Sequence, residues 1–564
     1  MKKLLKVFIS SLAVTSLQAN VFAQNETQTF LSILDSAKKE YNEKNWGKAA
    51  ILWEQLAKAN PVNGHFWDYS AAANYHNKTF DQAIPAYEKM IELGYAVPAN
   101  AAYNIACCYS LLKNKQQSLL WLKKALDLGY YYIEHAQTDN DLSFIGDDPA
   151  FKNLLFLKDV SKMTRQEGWL YDLDMLRWEV KRKAIHFSSD QDLPAFYAAL
   201  AKLRKDIPKL NDTQIIVELM NMMRYIGDGH SNIFLPVAKP EFKQTLPIQF
   251  YLFEEGLYII ASDSRYKELL GAQVLQFGNK NIDEVIKALE PLIGRDNKMN
   301  ILSRLPYLMR HPVLLKTLGL IQDVNQIKLK IKNLKGEEKM VNLIADTLQP
   351  DIWNIQPYPK GWISFSETLM DSLPLYLKNN DKLFWFDYSP STKIVYAQVN
   401  RILNTPDESL ADFAGKLSEF ITKNDAEKLV VDLRGNNGGN TFSGWSFVNE
   451  LLLNNKINKK GHLFVIIGRR TFSAAQNTAS YFEHLTNAIF VGEPTGSRPN
   501  FVGDEAPIKL PYSHIELNVS AVFWQGSWGV DKRIWIAPLL YVPPTFEAFK
   551  VNRDMAMEAI MNYR

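Results

Sequence analysis

Apolar positions along this chain change rhythm several times, and each change marks a different kind of element. Between residues 28 and 135 they recur at helical spacing, as in "AAILWEQLAKA" and "SLLWLKKALDL". From Trp169 to Ile226 the spacing stays helical, with "YDLDMLRWEVKRK" and "DTQIIVELMNMMRYI" both amphipathic, until glycines break it in "GDGHSNIFL". Residues 246–346 read as strand pairs plus one helix, in "LPIQFYLFEEGLYII", "GAQVLQFGNKNIDEVIKAL" and "NQIKLKIKNLKGEEKMVNLI". From Lys393 onward "KIVYAQVN", "KLVVDLRGNNGG", "HLFVIIG" and "NAIFVGEPTG" are continuous apolar runs closed by glycine-rich turns, with helical stretches between at least the last three. Such alternation predicts a largely parallel sheet under helical cover.

The first region also repeats. "NWGKAAILWEQLAKANP", "TFDQAIPAYEKMIELGY" and "NKQQSLLWLKKALDLGY" align so that Ala49 matches Ala83 and Ser118, and Trp53 matches Tyr87 and Leu122. The offsets of 34 and 35 residues match the period of tetratricopeptide helix pairs, which this region resembles. Stacked units of that kind offer a concave face to a peptide or protein partner.

The chain ends of this plan are informative. MKKLLKVFISSLAVTSLQANVFAQ has a basic start, an apolar stretch and Val21-Phe22-Ala23, the pattern of a leader cleaved after Ala23. The expected organisation is therefore a signal peptide (1–23), a tetratricopeptide-like domain (24–160), a helical segment (161–245), a β-rich domain (246–349) and an α/β domain (350–564). Removing the leader's Lys2, Lys3 and Lys6 leaves 61 basic against 61 acidic residues, so nothing points to nucleic acid or an anionic membrane. The expected location is periplasmic or secreted. Only two cysteines, the adjacent Cys107 and Cys108, are present; they read as buried thiols, which removes a disulfide framework, a thiolate metal site and a cysteine nucleophile.

Candidate chemistry concentrates in four short stretches. "GRRTFSAAQNTA" places Ser473 where a buried strand turns into a helix, a mount for a nucleophilic hydroxyl that still needs a base. "VVDLRGNNGG" ends an apolar strand in Gly435, Gly438 and Gly439, whose amides are able to face a developing anion. Ala474 and one of Gly438 or Gly439 would supply the two donors of an oxyanion hole. "IGDGHSNI" contributes His230, and "VGEPTG" closes the set. There is no Gly-Lys-Ser/Thr phosphate loop and no His-Glu-x-x-His zinc signature, and no cofactor or metal is implied.

In this order the four stretches resemble the tail-specific, or C-terminal processing, serine peptidases, a family that includes tricorn core enzymes. The resemblance covers about Trp169 to Arg564. It implies a crotonase-like (ClpP-type) α/β catalytic domain, and "LLGAQVLQFGNKNI" resembles the strand–turn segment of PDZ domains, with residues 298–318 as a helical insert outside that pattern. Peptide binding there and a plain β-rich spacer both stay open. The family's processing enzymes use a serine–lysine dyad, but the corresponding turn here is "GEPTGSRPN", with Ser497 and Arg498. An arginine does not give up its proton at working pH. The tricorn-like branch uses a histidine instead, and His230 fits its place, as a base that ordinarily titrates near neutrality. The resemblance implies Ser473 as nucleophile and His230 as base. For the orienting acid it suggests Asp531 in "GSWGVDKRIWIAP", with Asp504 and Glu505 as rivals; Asp228 and Ser231 flank His230. Trp524 and Trp528 read either as cleft lining or as edge cover. The expected activity is that of an exported serine endopeptidase acting on protein or peptide substrates. The alternative is a non-catalytic binding or scaffold protein, since retinoid-binding proteins of the photoreceptor matrix share this fold.

Overall fold

The computed structural model describes residues 28–184, 193–237, 239–347, 358–369 and 372–563. The expected leader, 1–23, lies outside them. The chain divides into two compact units, Met1–Met163 and Thr164–Arg564. Among the described residues no helix is long and apolar enough to cross a membrane.

The first unit is helical. Helices Trp46–Ala59, Gly64–His76, Phe80–Glu92, Pro98–Leu111 and Lys115–Asp127 follow one another, and each packs on the next. The aligned positions of the sequence repeat share an environment: Ala49, Ala83 and Ser118 are fully buried, and so are Trp53 and Leu122, with Tyr87 nearly so. The repeat is also present in the backbone. Lys44, Lys78 and Lys113, spaced like the aligned residues, all take positive φ, near 60°. Cys107 and Cys108 are free and buried, and burial pushes the Cys108 thiol up to about 12, so neither is a ready nucleophile.

The second unit opens with helices Arg165–Lys183, Pro194–Asp206 and Asp212–Met223. An antiparallel sheet follows, built on strands Ile248–Phe253, Gly256–Asp263, Gln273–Phe277, Gln326–Lys332 and Glu338–Ile344 in that spatial order. Helix Ile282–Leu289 follows the Gln273–Phe277 and Lys280–Asn281 strands, and residues 298–318 fold as helices Lys298–Leu308 and Pro312–Thr317.

A second sheet has six strands. Ile394–Val399, Lys428–Asp432, Leu463–Ile467, Ile489–Gly492 and Leu540–Tyr541 are parallel neighbours, and Phe384–Ser389 joins the first of them antiparallel. The four inner strands, buried on both faces, carry apolar residues almost without alternation, while the edge strands Phe384–Ser389 and Leu540–Tyr541 are partly exposed. Val395, Val431 and Val465 point to one face, against Phe413, Phe447 and Phe482 of helices Leu410–Lys423, Thr441–Leu452 and Ala474–Leu485. Tyr396, Val430 and Phe464 point to the other, against Ala556 and Ile560 of the last helix, Met555–Asn562. A third sheet joins distant sequence: Asn232–Ile233 pairs antiparallel with Glu516–Gln525, which forms a hairpin with Asn500–Lys509. That pairing fixes the His230 turn to the last part of the chain.

Candidate active site

Ser473 follows the Leu463–Ile467 strand and stands at the N-cap of helix Ala474–Leu485, with φ 56° and ψ −127°. Side chains other than glycine rarely occupy that region, and such strain persists only where the surroundings enforce it. A serine at a helix start ordinarily caps the helix with its hydroxyl. Ser473 makes no side-chain cap bond, so its hydroxyl is not committed to holding the helix. Its backbone N–H donates to the Ser497 Oγ at 3.3 Å. The side chain is part-exposed, whereas Phe472 and Ala474 on either side are buried.

The glycine turn lies directly against this serine. Gly438 and Gly439 take φ of 118° and 147°, and a Cβ on Gly438 would sit 2.8 Å from the Ser473 Cβ and 3.2 Å from the Ala474 nitrogen. A Cβ on Gly439 would sit 2.2 Å from the Ile402 carbonyl oxygen. Only glycine meets both demands, positive φ and backbone contact. The two amides differ in use. Gly438 N–H donates to Asn436 Oδ1 at 2.9 Å, while Gly439 N–H and Ala474 N–H take no partner among the described residues. Asn436, fully buried and donating in turn to the Val399 carbonyl, was not singled out by sequence; an Asn two residues before a Gly-Gly is the local signal for such a side-chain turn.

His230 is 5% exposed and lies between two rings, 4.4 Å from Phe472 and 5.4 Å from Phe501 by centroid. The structure therefore brings His230 to the residue before Ser473. No hydrogen bond joins the two, and among the described residues neither ring nitrogen makes a hydrogen bond of normal geometry, the Val502 backbone giving the charged ring only weak support. Burial pulls the imidazole down to about 4, opposed by the Asp228 carboxylate and reinforced by Arg304. The near-neutral titration expected from sequence is corrected by this burial: the ring is neutral, hence able to accept a proton, from about pH 4 upward.

Acidic groups are placed as follows. Asp228 shapes the His230 turn, accepting the N–H of His230 (2.8 Å) and Ser231 (2.6 Å) and the hydroxyls of Ser231 and Ser520 (both 2.7 Å). Asp531 is not brought to His230. Its carboxylate accepts from Ser527 Oγ at 2.7 Å and pairs with Arg533 at 2.8 Å, and those donors hold it well below the usual carboxylate range. A local Asp-x-Arg ion pair absorbs the acid that sequence position assigned to orienting the histidine. Glu505 accepts from Asn518 Nδ2 at 2.6 Å, and burial raises it. Asp504 sits at φ 50° in the hairpin. Arg498 is exposed, with its Nε donating to the Asp296 carbonyl at 3.2 Å. Asp296 was also missed by sequence.

Beside Phe472 lies a cavity of about 370 Å³ with apolar walls that include Phe234, Leu292, Ile293 and Leu308, and with Arg304 and Glu505 among its polar lining. Trp524 and Trp528 do not line it. Trp524 is half-buried against Phe442, and Trp528 is 74% exposed. Among the described residues no group of three or more His, Cys, Asp or Glu side chains is placed to hold a metal ion.

No family model matches the sequence, and no curated protein does. Among solved structures, the chain is similar to a crystal structure of a CPAF mutant, with TM-score 0.51 and 12% identity over 71% of this chain and 97% of that one. Mature CPAF complexed with lactacystin matches with TM-score 0.49 and 13% identity, over 70% and 98% of the two chains. The photosystem II D1 C-terminal processing protease matches with TM-score 0.33 and 12% identity, over 70% and 99%. The first of these likenesses shows that about 71% of this chain shares its fold with CPAF.

Proposed function

We propose that the chain is an exported serine endopeptidase of the tail-specific and tricorn-like kind, with tetratricopeptide-like repeats, a PDZ-like domain and a crotonase-like catalytic domain. The observation that carries this reading is the backbone of Ser473: a strained strand-to-helix turn, with an uncommitted hydroxyl and two free amides, from Gly439 and Ala474, alongside. Strained turns of that form present nucleophilic serines in hydrolases. In the reading, Ser473 attacks the peptide carbonyl, His230 takes its proton, and the Gly439 and Ala474 amides hold the oxyanion, with Gly438 shaping the turn. Hydrogen bonds between catalytic groups are often long before substrate binds, so a shift of the Phe472 ring that brings His230 to Ser473 belongs to this mechanism. Substrates are proteins or peptides, and the repeats serve a protein partner. The likeness of fold to CPAF agrees with this reading.

The mature chain should therefore hydrolyse an unstructured peptide. Ser473→Ala should abolish turnover, whereas Arg498→Ala should leave kcat within about tenfold, because Arg498 supplies no proton. Full turnover by Ser473→Ala would refute the assignment. One observation favours the second reading, a non-catalytic binding protein: among the described residues neither ring nitrogen of His230 makes a hydrogen bond of normal geometry. Under that reading wild type and Ser473→Ala are equally inert.

A further inference from the structure

We propose that Asp296 is a positioning residue of the serine site, holding the Ser473 turn and the His230 turn at a fixed separation through its ionised carboxylate. This rests on the serine-hydrolase reading above and adds to it a residue outside all four sequence stretches.

Asp296 is 5% exposed and lies just before helix Lys298–Leu308. On one side its Oδ1 accepts the Gly229 N–H at 2.9 Å, the amide immediately before His230. The segment carrying it runs tight along the same turn: a Cβ on Gly294 would sit 2.3 Å from the Ser231 carbonyl oxygen. On the other side the carboxylate meets Ser497, whose hydroxyl favours its charged form. The Ser497 Oγ already accepts the Ser473 N–H, which leaves the Ser497 proton to be donated elsewhere. Asp296 Oδ2 is buried and has no hydrogen-bond partner of normal geometry. The Ser497 hydroxyl is close enough to favour the charged carboxylate but makes no hydrogen bond of normal geometry to it among the described residues, so a small shift of the Ser497 side chain would be needed to join them. Two links are in place, Ser473 N–H to Ser497 and Gly229 N–H to Asp296, and the proposed bond from Ser497 O–H to Asp296 would join them.

The backbone around this path is fastened in the same place. Asn297 Nδ2 donates to the Thr495 and Ile534 carbonyls at 3.1 and 2.7 Å, and Arg498 Nε donates to the Asp296 carbonyl. Thus the turn "EPTGSR", which carries no lysine, is built around a buried acid.

An ionised Asp296 accepts the Ser497 proton, whereas a protonated carboxyl would donate to the Ser497 Oγ instead and compete there with the Ser473 N–H. Burial and the Asp228 charge raise Asp296 to about 7, against the Gly229 amide, Ser497 and Arg498. Arg304 also faces it from helix Lys298–Leu308. Arg224, Glu290, Arg295 and Lys298 line the opening beside it. A folded acid with a raised pKa gains its charge as pH rises through that value, so the site tightens above about pH 7. His230 is already neutral over that range.

The test is the rate at which a fluorophosphonate probe labels Ser473 in the mature full-length chain from pH 5 to 9. Wild type should rise about tenfold per unit below an ionisation near 7 and then level off. Asp296→Asn keeps size and shape but cannot ionise; its rate should be flat across the range and about 10- to 100-fold below the wild-type plateau, the scale of a misplaced catalytic group. Ser497→Ala should move the same limb to higher pH, since Ser497 favours the charged acid. A residue that only supports the fold would change thermal stability and leave the limb in place. The proposal is overturned if Asp296→Asn keeps the wild-type limb, if wild type shows no limb near 7, or, should Asp296→Asn fail to fold, if Ser497→Ala leaves the limb unmoved. Absence of labelling in wild type at every pH overturns the serine-hydrolase reading itself, and with it this inference.

Discussion

Replacing Ser473 by glycine should stabilise the protein while ending its chemistry. At φ 56° and ψ −127°, a residue with a Cβ carries strain of about 1–3 kcal/mol. Glycine removes that strain. Against this, glycine adds about 0.4–1 kcal/mol of unfolded-chain freedom relative to alanine. The net expectation is that Ser473→Gly exceeds Ser473→Ala in stability by about 1 kcal/mol. Serine and alanine should be nearly equal, because the Ser473 side chain makes no cap bond whose loss would ordinarily cost about 1 kcal/mol. In a unit of roughly 400 residues, 1 kcal/mol moves Tm by only about 1 °C. Replicate differential scanning calorimetry of the three proteins side by side is the suitable assay, with probe labelling to confirm that both variants are inert. Ser473 carries no such strain if alanine matches or exceeds glycine, and its hydroxyl does cap the helix if Ser473→Ala loses the stability expected of a removed cap.

Two further outcomes follow from neighbouring contacts. Gly439→Ala places a methyl 2.2 Å from the Ile402 carbonyl oxygen at positive φ, so it should cost about 2–4 kcal/mol in unfolding free energy and slow labelling of Ser473; wild-type stability would show the turn to be pliable. Arg469 and Glu493 form a buried bidentate pair, and Arg469→Met alone should cost about 3–5 kcal/mol by stranding the carboxylate, whereas adding Glu493→Leu should recover a large part of that; equal losses in the single and double variants, measured by denaturant unfolding, would contradict it.

The parts visible in sequence are those whose signal is local. "HLFVIIG" and "KLVVDL" announce the strands Leu463–Ile467 and Lys428–Asp432, because strands buried on both faces need apolar residues at every position. The 34- and 35-residue offsets recur as equivalent buried positions, because each helix pair solves the same packing problem. Ser473 and Gly438 were visible for the same reason: a strand end, a turn and a helix start all leave marks within a dozen residues. What escaped depends on pairing across the chain. No pattern around Asn232 tells that it lies opposite Asn518. Asp531 looked available for His230, yet Arg533 two residues away claims it. Asp296 carried no mark because its partner Gly229 and the nearby Ser497 come from distant stretches of chain. The pull of His230 to about 4 comes from burial of the ring, to which Phe472 and Phe501 contribute, an environment assembled only on folding.

The proposed chemistry stands on Ser473 as a nucleophile served by His230. Mature protein should be treated with a fluorophosphonate probe at pH 8, digested, and the modified residue located by mass spectrometry, for wild type and for His230→Ala. One modified residue, Ser473, is expected in wild type, and a labelling rate lower by on the order of 10⁴-fold in His230→Ala, since residues of one catalytic unit fail together. Modification of another serine, or labelling of Ser473 at an undiminished rate without His230, would contradict it.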